Sequence, residues 1–438
     1  MKKVFLIALL FFSCNLFAQD AIDYQIPPKG IYDLVMSKPT PGVSFDSKGE
    51  WMLILERSSM PSVEELAQPE LRIAGLRINP NNFAPSRSAY STGIQIKNVK
   101  TGVVFPVTGL PQNIRAGGFQ WSPNEDKAAF IQTNFNGVDL YVLDIKTRKA
   151  IKINKRLVNN VLGSPFEWID NNTILYKAIN KDLTQAPKKP LAPKGPVVQQ
   201  SLGKVAASVT YQDLIKTPFD ESLFEFYSTV QLVKNTNGIE SKAGNPGIYS
   251  SIDISPDKKY LLLERIDKPY SYLVTYGGFN STVYITDMMG KLVKELTKLP
   301  SSELAPTGYD NVLNAPRGYN WFTNQPATVT WIEPLDSGLI KKKAEFRDAA
   351  YTLTAPFTGT PKELIKTPMR MYGVADISND LYFVTEGSRV KHRQKMSRLN
   401  NNGEMTVLFD RSTDDAYNDP GTTLTEKNKF GRDAVKLM

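Results

Sequence analysis

One decapeptide constrains this chain more than any total does: Ile254-Ser-Pro-Asp-Lys-Lys-Tyr-Leu-Leu-Leu263. Ser255 and Pro256 suit the first two places of a type I turn, because proline fixes φ at about −65° and serine bonds back to the backbone. Asp257 and the two lysines are expected to keep that turn in water. Tyr260 to Leu263 is then an apolar run too short for a helix and long enough for a buried strand. Alone this is one hairpin, and variants of it recur.

The first copy is Val43 to Leu55, with Ser47 in the turn; others begin at Trp121, Trp168, Trp321 and Asp376. Each is followed by a second kind of hairpin, an alternating strand, a polar turn and another strand. These closing units lie at Gly93–Phe105, Leu140–Arg148, Val230–Gly238, Val283–Gly290, Tyr351–Gly359 and Met396–Gly403. Two hairpins per unit make the four strands of a β-propeller blade, at a spacing near the roughly 40–50 residues of such repeats. A β-sandwich would not repeat this two-hairpin pattern in strict alternation. The fold expected is therefore all-β, a propeller of four-stranded blades over 24–411. About six blades are expected, near 43–110, 119–156, 166–244, 248–300, 317–367 and 371–411. Residues 412–438 read as an unfinished tail, the start of a further blade.

Two insertions interrupt the pattern. Ser58 to Arg87 separates the hairpins of the first unit, with a short helical turn expected at Val63–Ala67. Asn180 to Tyr227 interrupts the third, and Pro187, Pro190, Pro193 and Pro196 favour an extended arm there. Short helices are expected at Tyr211–Lys216 and Asp220–Tyr227, and an extended segment at Tyr24–Gly42. Long insertions in a propeller tend to share one face, where function is placed.

Residues 1–18 read as a secretory signal: Lys2 and Lys3, an apolar run from Val4 to Phe12, and a small-residue site ending at Ala18. The expected location is periplasmic or extracellular. Acylation of Cys14 is disfavoured by the poor lipobox Phe11-Phe12-Ser13. Cys14 is the one cysteine, so the cleaved protein would hold no thiol nucleophile or disulfide. No later stretch is apolar enough to cross a bilayer as a helix, and no membrane partner is expected after cleavage. The net charge of +9 comes from interleaved signs, so nucleic acid is not expected as a partner.

Catalytic residues are not expected in this stretch. A nucleophile elbow needs Gly-x-Ser-x-Gly, and the sequence has none. The one histidine, His392, lies between Lys391 and Arg393, and flanking cations disfavour the imidazolium that a catalytic base becomes. Asp414, Asp415 and Asp419, or Asn134 to Asp139, could face a calcium ion, but neither follows a known loop pattern and both read as solvated turns. No metal or cofactor is expected. The tryptophans at the opening hairpins read as packing between blades.

Several motifs then coincide. Glu65-Leu-Ala-Gln-Pro-Glu-Leu-Arg-Ile-Ala-Gly-Leu-Arg-Ile-Asn-Pro80, Lys194–Gln199 with Thr210–Leu214, Pro269–Leu273, and Asp410-Arg-Ser with Tyr417–Gly421 occur in this order. Together they resemble the glutamyl endopeptidase-like branch of the prolyl oligopeptidase superfamily, from about Tyr24 onward. The resemblance implies a secreted serine peptidase: a seven-bladed propeller that limits access, then an α/β-hydrolase domain with a Ser-Asp-His triad. The part resembled is the N-terminal propeller, without its last blade and without the hydrolase domain. Peptide substrates, met through that domain, are the partners implied. A preference for glutamate calls for a fixed cation, and a guanidinium fork suits a carboxylate. Arg72, Arg77 and Arg87 of the first insertion are the candidates for substrate binding; the alternative is that they pair with Glu64, Glu65 or Glu70. A stand-alone periplasmic binding or scaffold propeller of TolB-like type is the second functional reading.

Overall fold

The computed structural model describes residues 25–183, 185–192, 195 and 210–437. The proposed signal, Cys14, Pro193, Pro196 and all of Lys194–Gln199 except Gly195 lie outside them. The chain forms a β-propeller of four-stranded antiparallel blades, the fold class that the repeated hairpins imply.

The first blade holds Gly42–Phe45, Trp51–Arg57, Ser91–Asn98 and Val104–Pro106. The second holds Ala116–Trp121, Lys127–Asn134, Gly137–Asp144 and Lys149–Lys152, and one Ser91–Ala116 pairing joins the two into a single sheet. Four separate sheets follow, beginning at Phe166, Tyr249, Arg317 and Arg370, each with its strands in chain order. The tail adds a two-stranded hairpin, Thr425–Lys427 with Asp433–Val435.

Side-chain chemistry within a few residues makes each opening turn. Asp46 Oδ1 accepts the amides of Glu50 and Trp51 at 2.8 and 3.0 Å. Ser122 Oγ accepts the Lys127 amide, and Ser255 Oγ accepts those of Lys259 and Tyr260. Lys258 N–H donates to Ser255 O at 2.8 Å, the bond that defines a β-turn. One expectation is corrected here. The turn is not simply in water: Ser255 and Pro256 are buried, and Asp257 N–H donates to Pro326 O of the next blade.

Burial is organised by blade interfaces. Five apolar clusters fill the five successive junctions, with Phe130 and Leu143 between the first and second blades and Trp321 and Val329 between the fourth and fifth. Three opening tryptophans pack there and donate their indole N–H to the blade before: Trp121 to Ser44 Oγ, Trp168 to Gln120 O and Trp321 to Asp253 O. A buried indole needs such a partner. On the far face of the first blade Val43 and Phe45 remain exposed, as does Phe409 in the sixth.

A sixth cluster lies outside the blades. The connections from second to third strand in the first, third and fourth blades fold together into a roof over one end of the propeller. Tyr24–Gly42 is not wholly extended: Lys29–Val35 is a helix with no buried residue. Tyr211–Lys216 does not form the helix expected of it, whereas Pro218–Ser228 does. The difference is local. Thr217 and Asp220 build a capping box with Pro218 in the first turn, and Tyr211–Lys216 has no such start.

Candidate functional site

The two insertions singled out from the sequence meet in the roof. Its centre is Phe224, fully buried with Tyr270 and Phe279 edge-on at 5.1 and 5.5 Å. Main-chain bonds fasten the pieces: Gly75 N–H to Asp213 O at 2.8 Å and Tyr276 N–H to Ala74 O at 2.9 Å. Gly75 has φ +80°, and a Cβ there would lie 2.4 Å from Thr275 Cγ2, so the close approach needs glycine.

The hairpin Leu71–Ile73 with Leu76–Asn79 places Arg72 directly opposite Arg77. Arg72 Nε donates to Glu70 Oε1 at 2.7 Å, and Arg87 Nε lies 3.7 Å from Glu70 Oε2. Arg77 Nε donates to Asp213 Oδ2 at 3.0 Å and its Nη2 to Gln212 Oε1 at 3.4 Å. A hydrogen bond from Ser86, then that from Arg72, holds the Glu70 carboxyl below its ordinary range. Glu70 therefore stays ionised, and its pairing fails only as pH falls through that lowered value. All three guanidiniums are about half exposed. Among the described residues, three cations share two carboxylates at ion-pair distance, one positive charge in excess. Of the partners expected from sequence, Glu70 pairs; Asp213 was not foreseen, since it lies 136 residues away.

At the other end, the opening hairpins of five blades converge on the propeller axis. Phe45, Trp121, Trp168, Asp253 and Thr323 line a cavity of about 600 Å³ there, with the tail hairpin across it. Arg432 Nη2 donates to Asp253 Oδ1 at 2.8 Å, and the Asn428 amide donates to Thr323 O and Asn324 Oδ1. Burial raises the carboxyls of Glu167 and Asp253 above their ordinary range, with Arg432 opposing the shift at Asp253.

The remaining candidates are accounted for by neighbours. His392 is exposed, with Nδ1 2.9 Å from Asp414 Oδ1, and no serine hydroxyl bonds it among the described residues. Asp415 accepts the Asn418 side-chain and backbone N–H groups, and Asp419 accepts from Arg411 and the Gly421 amide. Asp139 is taken by Lys152, Asn154 and Asn134. Among the described residues, no group of three His, Cys, Asp or Glu side chains is placed to hold a metal ion.

No family model matches the chain. It is 33% identical over 426 residues to a probable glutamyl endopeptidase, chloroplastic, of Arabidopsis thaliana, covering 93% of this chain and 44% of that protein. Against the probable glutamyl endopeptidase, chloroplastic, of Oryza sativa subsp. japonica it is 32% identical over 427 residues, covering 93% and 46%. The chain thus spans a little under half the length of these curated relatives. Among solved structures, Pyrococcus horikoshii acylaminoacyl peptidase aligns with a TM-score of 0.38 at 12% identity, over 86% of this chain and 47% of that one. The β-propeller domain of the Trilobed protease from Pyrococcus furiosus aligns at 0.38 and 12%, over 84% and 83%. Over the length it spans, a β-propeller in this structure, the chain is homologous to these two probable glutamyl endopeptidases.

Proposed function

We propose that this chain is the substrate-gating propeller of a glutamyl-endopeptidase-like serine peptidase. Hydrolysis in this reading belongs to a Ser-Asp-His triad on an α/β-hydrolase domain outside these 438 residues. The observation that carries it is the 33% identity over nearly the whole chain to a protein named for glutamyl endopeptidase activity, of which the chain spans 44%. The protein is exported, with residues 1–18 as signal. N-terminal sequencing of the secreted form should begin at Gln19; a mature protein that still starts at Met1 would overturn this part.

The roof supplies the chemistry for reading glutamate. Arg72, Arg77 and Arg87 present guanidinium edges to solvent with one positive charge in excess among the described residues, and a fork of N–H donors matches a carboxylate bidentately. In the full-length enzyme, changing Arg72, Arg77 or Arg87 singly to alanine should raise KM for glutamyl substrates about tenfold, the equivalent of one lost charge-assisted hydrogen bond. KM for alanyl substrates should hardly change. An equal rise for both substrates would mean that the arginines only brace the roof, and would end this assignment.

A further inference from the structure

Between positions 146 and 156 the sequence places six basic residues and no acidic one: Lys146, Arg148, Lys149, Lys152, Lys155 and Arg156. Such a run would repel itself if all of it faced one solvated surface, and part of it is neutralised. Lys152 Nζ lies 2.7 Å from Asp139 Oδ1, Arg156 Nε lies 3.9 Å from Glu240 Oε2, and Arg148 stacks 4.6 Å from the centre of the Phe105 ring. Lys149 and Lys155 are exposed, and neither has a carboxylate at ion-pair distance among the described residues.

Lys149 and Lys155 stand on the rim of a groove between the second and third blades, with a cavity volume of about 810 Å³. That is the size range of sites that hold a small ligand or a short stretch of chain. Lys127 and Lys152 also line it, with their ammonium groups engaged, Lys127 by Asn171 O and Asn172 Oδ1 and Lys152 by Asp139, and Asp144 is the one carboxylate in the lining. The floor is aliphatic and aromatic: Val142, Ile151, Ile153, Ile174 and Trp168. Ile151 is 51% exposed, on the strand that also carries Lys149. Asn172 and Asn237 offer amide groups at the margin.

We propose that this groove docks an extended, acidic polypeptide segment in which glutamate or aspartate alternates with aliphatic side chains. Alternate residues of an extended strand point to opposite sides, so the acidic ones meet the lysine rim while the aliphatic ones cover the floor. Lysine rather than arginine on the rim, and aliphatic rather than aromatic side chains over most of the floor, argue against nucleic acid, which is held by stacking platforms. The site is separate from the roof arginines and does not depend on the peptidase reading.

Fluorescence anisotropy of a labelled peptide alternating glutamate and valine, titrated with the full chain, tests this directly. Binding should quench Trp168, weaken as salt rises, and vanish for the counterpart with glutamine at every glutamate. The double variant Lys149→Glu/Lys155→Glu should lose at least about tenfold in affinity, because it places like charges against the peptide. Lys341→Glu/Lys343→Glu, in a loop of the fifth blade, changes charge equally and should bind as the parent does. Unchanged affinity in the first variant, or equal binding of the glutamine peptide, overturns the proposal. So does displacement by an oligothymidylate of matched charge as effective as the acidic peptide itself, since that would make the groove a general polyanion patch. The assay reads binding alone, so its outcome is distinguishable from that of the KM test on the roof.

Discussion

Replacing Arg370 by methionine should destabilise the propeller by about 3–5 kcal/mol, because it removes one cation of a buried charge network together with its charge-assisted hydrogen bonds. Arg370 begins the sixth blade and is 3% exposed, and it faces Asp336 and Asp348 of the fifth, both 0% exposed. Its Nη2 donates to Asp336 Oδ2 at 2.7 Å, its Nη1 to Asp348 Oδ1 at 3.1 Å and its Nε to Asp310 O at 2.6 Å. Arg317 and Arg347 contribute from the fifth blade, at 2.6 Å from Asp348 and 3.0 Å from Asp336. After the substitution, each aspartate keeps a single arginine, and the Asp310 carbonyl loses its donor. Methionine fills much of the volume, so the loss would reflect charge and hydrogen bonding more than a cavity. Arg370→Lys keeps the charge but not the fork, and should fall between the two. Arg393→Ala removes an exposed pair with Asp410 and should leave the denaturation midpoint nearly unchanged. Urea unfolding of the four proteins checks the order. A methionine variant as stable as the parent would mean that the network contributes nothing net to the junction.

Phe224→Ala should cost about 3–5 kcal/mol where the roof is concerned, the range for emptying a fully buried aromatic site. The side chain is 0% exposed, wedged between two edge-on aromatic rings, and it joins parts of three blades that share no strand pairing there. Because the roof lies outside the blade interfaces, the loss should appear as local opening. Amide exchange should rise in residues 71–85 and 267–280 and remain unchanged in the strands of the fifth and sixth blades. Phe224→Leu, which keeps most of the volume, should produce a much smaller rise. Uniform acceleration across all blades would show that the roof and propeller unfold together. The same variant bears on the glutamate reading, since Arg72 and Arg77 sit on the hairpin whose Ile73 and Ile78 pack into that core.

The repeat was legible because its determinants are local. Asp46, Ser122 and Ser255 each cap amides four or five residues ahead, and that reach lies inside the decapeptide from which the blades were inferred. The helix at Pro218–Ser228 was legible for the same reason, through Thr217 and Asp220. The helix at Lys29–Val35 was not, because no side-chain cap marks its start and it buries nothing. The candidate arginines could be named from the sequence, but their surroundings could not. Arg77 takes its carboxylate from Asp213 in another insertion, and Arg432 reaches Asp253 across 179 positions.

The sequence by itself thus determined the hairpins, their pairing into four-stranded blades and the places where long insertions leave the sheet. Turn chemistry and two-residue alternation act over a few bonds, so they need no knowledge of the rest of the chain. Only the tertiary structure decided what those insertions do together. Closing the blades side by side brings Phe224 against Tyr270 and Phe279, sets Arg370 between Asp336 and Asp348, and opens the lysine-rimmed groove between the second and third blades. Those contacts follow from the angle and spacing of neighbouring blades, a property of the packed assembly that no single segment carries.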